Sequence, residues 1–205
     1  DKIKVISNIV SSQIKIHRRY GGVIPELAAR NHIKNILPVI NEALQTSPLF
    51  PLLIKERVPK AGEADAIAVT TGPGLIPTLL IGIETAKALA YAWNKPIIGV
   101  NHLAGHIYSN FIGNHKKIKF PALILIVSGG HTELVLMRGH FQFKLLGQTR
   151  DDAAGEAFDK AAKILNLGYP GGPAVAQQAN KILNLKSKIL NLKLPRPMIN
   201  DSSFD

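Results

Sequence analysis

The 205-residue chain contains no cysteine. Disulfides and thiolate metal sites are therefore excluded, and any metal must be held by histidine, carboxylate or main-chain oxygen. A long uninterrupted apolar run is also missing. The best stretch, Leu75 to Ala92, is broken by Pro77, Glu84 and Lys87, whereas a membrane span needs ~20 residues with few charges. No basic-then-apolar signal segment opens the chain, so a cytoplasmic location is the expectation. The first residue is Asp1 rather than methionine, and the last residues are a polar Asn-Asp-Ser-Ser run before Phe204 and Asp205. Both ends read as cut. Acidic residues are few: 14 against 25 Lys and Arg, a formal net charge of +11. That excess suits a polyanion such as RNA, and is equally met by solvated surface lysines.

What is present is the patterning of a folded α/β protein. The apolar fraction is 46%, which argues against disorder. Lys2 to Ser11 reads as a strand. Gly22 to Leu44 places Leu27, Ile33, Ile36, Leu37, Ile40 and Leu44 at helical spacing, and Gln45 to Gly62, with three prolines, reads as an irregular connection. Asp65 to Thr71 is a short strand, Gly72-Pro73-Gly74 a turn, Ile76 to Trp93 a helix, Pro96 to Val100 a strand, and Asn101 to Asn110 a helix. Pro121 to Val127 and Thr132 to Met137 flank a Ser-Gly-Gly-His hairpin turn, and Phe141 to Leu146 is a third strand. Asp152 to Leu167 reads as a helix closed by Gly168, followed by a glycine-rich bend at 169–173. The tail repeats Lys-Ile-Leu-Asn-Leu-Lys with a period of seven, at Lys181 and Lys188, and is read as an amphipathic helix.

Four groups could carry chemistry. His102 and His106 lie four apart, one helical turn, so two neutral imidazoles could share a cation; two solvated polar residues would look the same. The zinc-protease signature requires Glu after its first histidine, and Leu103 stands there. Ser128-Gly129-Gly130-His131-Thr132 could bring main-chain amides to an anion, or could be an ordinary hairpin whose glycines supply positive φ. Asp152, Glu156 and Asp159 are spaced to share one helix face. Asp151 and Asp152 suffice to complement a helix dipole, while Asp159 lies too far along for that and is a candidate for a ligand hydroxyl. Tyr169-Pro170-Gly171-Gly172-Pro173 is a turn by itself.

Taken in order, six segments resemble the TsaD family: Tyr20 to His32 (YGGVIPELAARNH), Thr71 to Leu75, Val100 to His106 (VNHLAGH), Val127 to Leu134 (VSGGHTEL), Asp151 to Lys160, and Tyr169 to Pro173. These are tRNA N6-adenosine threonylcarbamoyltransferases, once labelled sialoglycoprotein endopeptidases. The resemblance implies an α/β, actin-like and Hsp70-like (ASKHA) fold of two domains around a nucleotide cleft, incomplete at both termini. Residues 1–118 would form the first actin-like domain, without its first strand hairpin, and 119–205 the start of the second, with a helical insertion. His102 and His106 match the family's metal pair, for one iron or zinc ion per subunit, the third ligand lying beyond this chain. Ile126, Val127, Ser128, Gly129 and Gly130 match the loop for threonylcarbamoyl-AMP or another adenine nucleotide, and Asp159 and Gly172 its nucleoside contacts. His131 is expected to support the turn or to assist proton movement.

The implied partners are tRNA, a paralogous TsaB-like subunit and, in bacteria, a TsaE-like ATPase, with no membrane. Arg18, Arg19, Lys116, Lys117 and Lys119 are candidates for the tRNA backbone, and the helices around 25–44 and 76–93 for the paralogous subunit. The alternatives are a metal-dependent glycoprotein endopeptidase and a non-catalytic actin-fold partner subunit. Against the second stands the histidine pair, which such paralogues typically lack.

Overall fold

A computed structural model describes residues 3–45, 64–113, 118–184, 195–196 and 198–205. The connection expected at 45–62 falls almost wholly outside the described residues, as do Lys116, Lys117 and the lysine-rich repeat from 185 onward. The described chain is mixed α/β and divides into two compact units: residues 1–15 with 23–117, and 16–22 with 118–205.

The first unit is built on a β-α-β crossover. Strands β1 (Ile67–Gly72) and β2 (Ile97–Asn101) pair in parallel, with Ile67 opposite Ile97 and Thr70 opposite Val100. Between them runs α3 (Ile76–Trp93), which follows α1 (Ile14–His17) and α2 (Pro25–Gln45) in chain order. Helix α3 starts and stops where the sequence demands. Gly72 and Gly74 take φ of 153° and 158°, open only to glycine, Pro77 sits in the first turn, and Asn94 closes the helix in the left-handed region. Its buried side carries Ala86 and Ala90, small enough to let the helix lie close against the sheet. Helix α2 packs against α3. It buries Ala28 and half-buries Ile36, Ile40 and Leu44, but Ile33 and Leu37 point outward, 63% and 60% exposed. The helical spacing is therefore borne out while two of its six positions face away from α3. A short α4 (His102–Ser109) begins directly after β2.

The strand expected at Lys2 to Ser11 does not form. Residues 3–13 have no regular structure, and Val5 and Val10 are 51% and 76% exposed. Apolar content suits a strand, but a strand exists only through its ladder, and none of the described strands pairs with this segment.

The second unit holds the antiparallel sheet β3-β4-β5: β3 (Ala122–Val127), β4 (Thr132–Gly139) and β5 (Gln142–Gln148). Val127 pairs with Thr132, so Ser128 to His131 is a four-residue hairpin loop, as the sequence implies. Ile126, Val135 and Met137 are buried in this sheet. β5 begins one residue later than expected, because Phe141 takes φ +61° in the preceding turn.

Helices α5 (Ala154–Ile164) and α6 (Gly171–Asn184) pack on each other. α5 is shorter than the expected 152–167 at both ends. Its first free amides are taken from outside the helix: Ala154 N–H donates to Thr132 Oγ1 (2.8 Å) and Gly155 N–H to the Ser128 carbonyl (3.0 Å). Asn166 and Gly168, at φ 53° and 93°, end it. The bend at 169–173 is half helix, since Gly171 opens α6 and Pro173 falls in its first turn, where no N–H is needed.

Candidate functional site

In the first unit, β2 delivers the chain into α4 through Asn101, whose side-chain oxygen accepts from the amides of Leu103 (2.9 Å) and Ala104 (3.0 Å). This N-cap holds the first turn of α4. His102 and His106, both exposed, then face each other one turn apart, with Nε2 atoms 3.1 Å apart and ring planes at 68°. Two nitrogens so close must share a proton or a cation, since at least one lone pair points into the gap. A cation about 2.0–2.1 Å from each nitrogen bridges such a separation, so the pair fits a metal. No cluster of three or more His, Cys, Asp or Glu residues suited to a metal exists among the described residues.

In the second unit, the turn after β3 is organised by one hydroxyl. Ser128 Oγ accepts from His131 N–H (2.9 Å) and Gly130 N–H (3.3 Å), and Ser128 N–H donates to the His131 carbonyl (2.8 Å). The glycines are not there for positive φ, which neither adopts. Nor are they required by packing, because a Cβ on Gly129 or Gly130 would meet nothing within 4 Å. What remains is open space above bare main chain. The imidazole of His131 has no hydrogen-bond partner among the described residues, so the turn is shaped by the His131 main chain and not by its ring. Ile126 lies in the core, 6% exposed, whereas Val127 is 56% exposed.

Behind the turn sits Gly155, to which the sequence pattern by itself assigns no role. A Cβ there would lie 2.7 Å from the Ser128 carbonyl oxygen and 2.8 Å from Gly129 Cα. Helix α5 thus abuts the hairpin loop main chain to main chain. Thr132 and Thr149 complete the junction: Thr149 N–H donates to the Thr132 carbonyl and Thr149 Oγ1 to the Asp152 carbonyl.

The three carboxylates expected on one helix face part company. Asp152 precedes α5, and it and Glu156 both bind Lys160, at 2.5 and 3.2 Å. Both bonds, that to Asp152 first, raise the Lys160 pKa. Asp159 turns to the next helix, where its Oδ1 accepts from Gly171 N–H at 2.6 Å. It lines a cavity of about 250 Å³ with Arg18, Gly21, Lys163, Asn166, Gly168 and Tyr169. Arg18 Nε donates to the Tyr169 carbonyl at 3.0 Å, anchoring segment 16–22 to the α5–α6 connection. A second cavity of about 470 Å³ shares Arg18, Gly168 and Tyr169. Gly172 is half-buried and has no atom within 4 Å of where a Cβ would stand.

Burial, and after it the charge of Asp159, raises the Tyr169 phenol above its usual range. The neutral phenol is the favoured form in the fold, so its contribution is intact at neutral pH and is lost only as pH rises through the raised value. Asp159→Asn, which keeps an oxygen for Gly171, is expected to bring the Tyr169 phenolate transition part of the way back. Phenolate absorbance against pH, with Tyr169→Phe as the blank, checks this; a full return would make charge rather than burial the main cause.

An α/β protein with paired helix-borne imidazoles and a bare glycine hairpin backed by a helix N-terminus is the class these features define. The chain belongs to the TsaD family, described as tRNA N6-adenosine threonylcarbamoyltransferase, whose profile it matches over residues 4–205. Proteins of that name are similar to it: 50% identical over 202 residues in Syntrophomonas wolfei (98% of this chain, 55% of the relative). The Thermomicrobium roseum protein is 55% identical over 182 residues (86% and 47%), and that of Bacillus subtilis 47% over 202 (98% and 53%). The chain spans about half the length of the curated relatives it matches. No helix among the described residues is long and apolar enough to cross a membrane.

Proposed function

We propose that the protein is a tRNA N6-adenosine threonylcarbamoyltransferase, working in the cytoplasm with an ASKHA fold of two actin-like domains. In the reaction, the N6 amine of the adenosine 3′ of the anticodon, in tRNAs reading ANN codons, attacks the carbamoyl carbon of threonylcarbamoyl-AMP. A C–N bond forms, the bond from carbon to the phosphate oxygen breaks, AMP leaves with the electron pair, and N6 gives up a proton. The observation that carries the reading is the family match over residues 4–205, which includes two Nε2 atoms aimed at one point, 3.1 Å apart.

His102 and His106 would hold iron or zinc, which supplies Lewis acidity when bound. The remaining roles belong to the chain. Gly129 N–H, which has no partner among the described residues, is the first donor a bound anion meets at the 128–130 turn, and Gly130 N–H follows by giving up a 3.3 Å bond. Fixed amides there orient the carbamoyl-adenylate and offset charge as AMP departs. Val127 and the bare main chain of Gly129 and Gly130 form the wall, and Ile126 sets the strand from the core. Asp159, with one oxygen on Gly171, presents the other to a ribose hydroxyl beside Gly172. His131, whose ring has no hydrogen-bond partner among the described residues, would carry a proton.

Exposed Ile33 and Leu37 on α2, and Ile76 and Leu80 on α3, support a docking face for a paralogous TsaB-like subunit, with a TsaE-like ATPase as the further bacterial partner. The protein incubated with these partners, threonine, bicarbonate, ATP and unmodified tRNA is expected to yield threonylcarbamoyladenosine, read by mass spectrometry of the nucleosides. If no modified nucleoside forms while a known transferase succeeds in the same mixture, the proposal is wrong.

A further inference from the structure

The turn at the far end of β4 is chemically unlike the rest of the sheet. Gly139 pairs with Gln142, leaving His140 and Phe141 as a two-residue loop. Phe141 holds φ +61°, where turn geometry favours glycine or asparagine and a bulky side chain is strained. Its side chain is nonetheless 78% exposed. Just before it the register shifts: β4 advances from Met137 to Gly139 while β5 moves only from Phe143 to Gln142. Arg138 is thus the extra residue of a bulge, a device that re-aims a side chain, and it is exposed. Exposed Lys144 lies opposite Leu136. Phe120 meets the His140 ring edge-on at 5.0 Å, bringing exposed Lys119 to the same turn.

No carboxylate occurs between Leu134 and Arg150. Among the described residues, none of Lys119, Arg138 and Lys144 is in an ion pair. A largely exposed flat ring among cations without ion pairs suits the recognition of unpaired nucleotides, with stacking on the ring and phosphates on the cations.

We propose that this turn is a second contact for the RNA substrate, with Phe141 stacking on an unpaired base and Arg138, Lys144 and Lys119 meeting phosphates; this rests on the tRNA reading above. The two turns lie at opposite ends of an eight-residue strand, roughly 25 Å at the usual rise. The contact is therefore to nucleotides remote from the reacting adenosine, and it acts on binding rather than on chemistry. A phenyl ring inserting into a lipid surface or into another protein would need the apolar volume but not the flat π face.

That difference sets the test, binding of unmodified tRNA by the unaltered chain and its variants, followed by fluorescence anisotropy. Phe141→Ala and Phe141→Leu are both expected to weaken binding about ten-fold, the size usual for loss of one stacked base, while Phe141→Trp keeps it. Arg138→Gln is expected to weaken it and reduce the slope of log affinity against log salt by about one. In the transfer assay the loss should fall on KM with kcat kept. Wild-type affinity in both Phe141→Ala and Phe141→Leu, or affinity retained by Leu alone, overturns the proposal, as does loss of anionic-vesicle binding in Phe141→Ala with tRNA binding unchanged. If the unaltered chain binds tRNA and the variants match it, only this contact fails; if it binds no tRNA at all, the substrate reading fails with it.

Discussion

Alanine at Gly171 is expected to lower folding stability by about 3 kcal/mol, at the upper end of what overpacking a close-fitted core costs. The added Cβ would stand 2.3 Å from the Phe158 carbonyl oxygen and 2.5 Å from Asp159 Cα. Both are main-chain atoms of α5 and cannot turn aside as a side chain would, so α6 must move off α5. The Gly171 N–H bond to Asp159 is then lost as well, and with it the anchoring of the carboxylate expected to hold the nucleoside. The neighbouring substitution is the control. A Cβ on Gly172 meets nothing within 4 Å, so Gly172→Ala should stay within about 0.5 kcal/mol of wild type while crowding any ligand above it. Urea unfolding midpoints separate the two, and equal midpoints would mean that α5 and α6 are not held as close as described. Gly155→Ala should resemble Gly171→Ala, because its neighbours are the main chain of Ser128 and Gly129.

Replacing His102 and His106 together by alanine is expected to abolish metal binding and reduce threonylcarbamoyl transfer by more than ~100-fold. Loss of an outer-shell partner alone typically costs 10–100-fold in metal affinity or activity, and here both nitrogens that converge on the site are removed. The measurement is metal content after dialysis, together with nucleoside mass spectrometry. The fold should survive, since both rings are exposed and the N-cap of α4 is supplied by Asn101. A double variant that retains stoichiometric metal would place the cation elsewhere. One that loses the metal but keeps full activity would confine the metal to a structural role.

Much of the secondary structure was legible because its causes are local. Helix α3 runs from Ile76 to Trp93 as read, since a glycine-proline turn precedes it, a proline occupies its first turn and Asn94 stops it. The β3–β4 hairpin follows from two apolar runs around Ser-Gly-Gly-His. Helix α5 starts later than its sequence pattern suggests because its first turn is fixed by Thr132 Oγ1, 22 residues upstream, a partner outside any local window. The Lys2 to Ser11 strand was expected from composition alone, and composition does not supply a pairing neighbour. The carboxylate series failed as a single face for a related reason. Asp152 and Glu156 are drawn to Lys160, and Asp159 to an amide twelve residues on.

The order and identity of the site motifs were determined by sequence alone: a histidine pair at helical spacing, a glycine hairpin between apolar strands, an acidic helix start and a second glycine bend. Residue type and separation along the chain suffice for these, because a helical turn and a tight loop are short-range geometry. Tertiary structure alone decided that the imidazoles face each other at Nε2, that the hairpin glycines leave open space at negative or extended φ, and that Gly147, Gly155 and Gly171 are points of close main-chain approach. The glycine approaches depend on distances between segments remote in sequence, and the facing imidazoles and the open loop depend on side-chain rotamers and backbone angles, neither of which residue type and spacing fix.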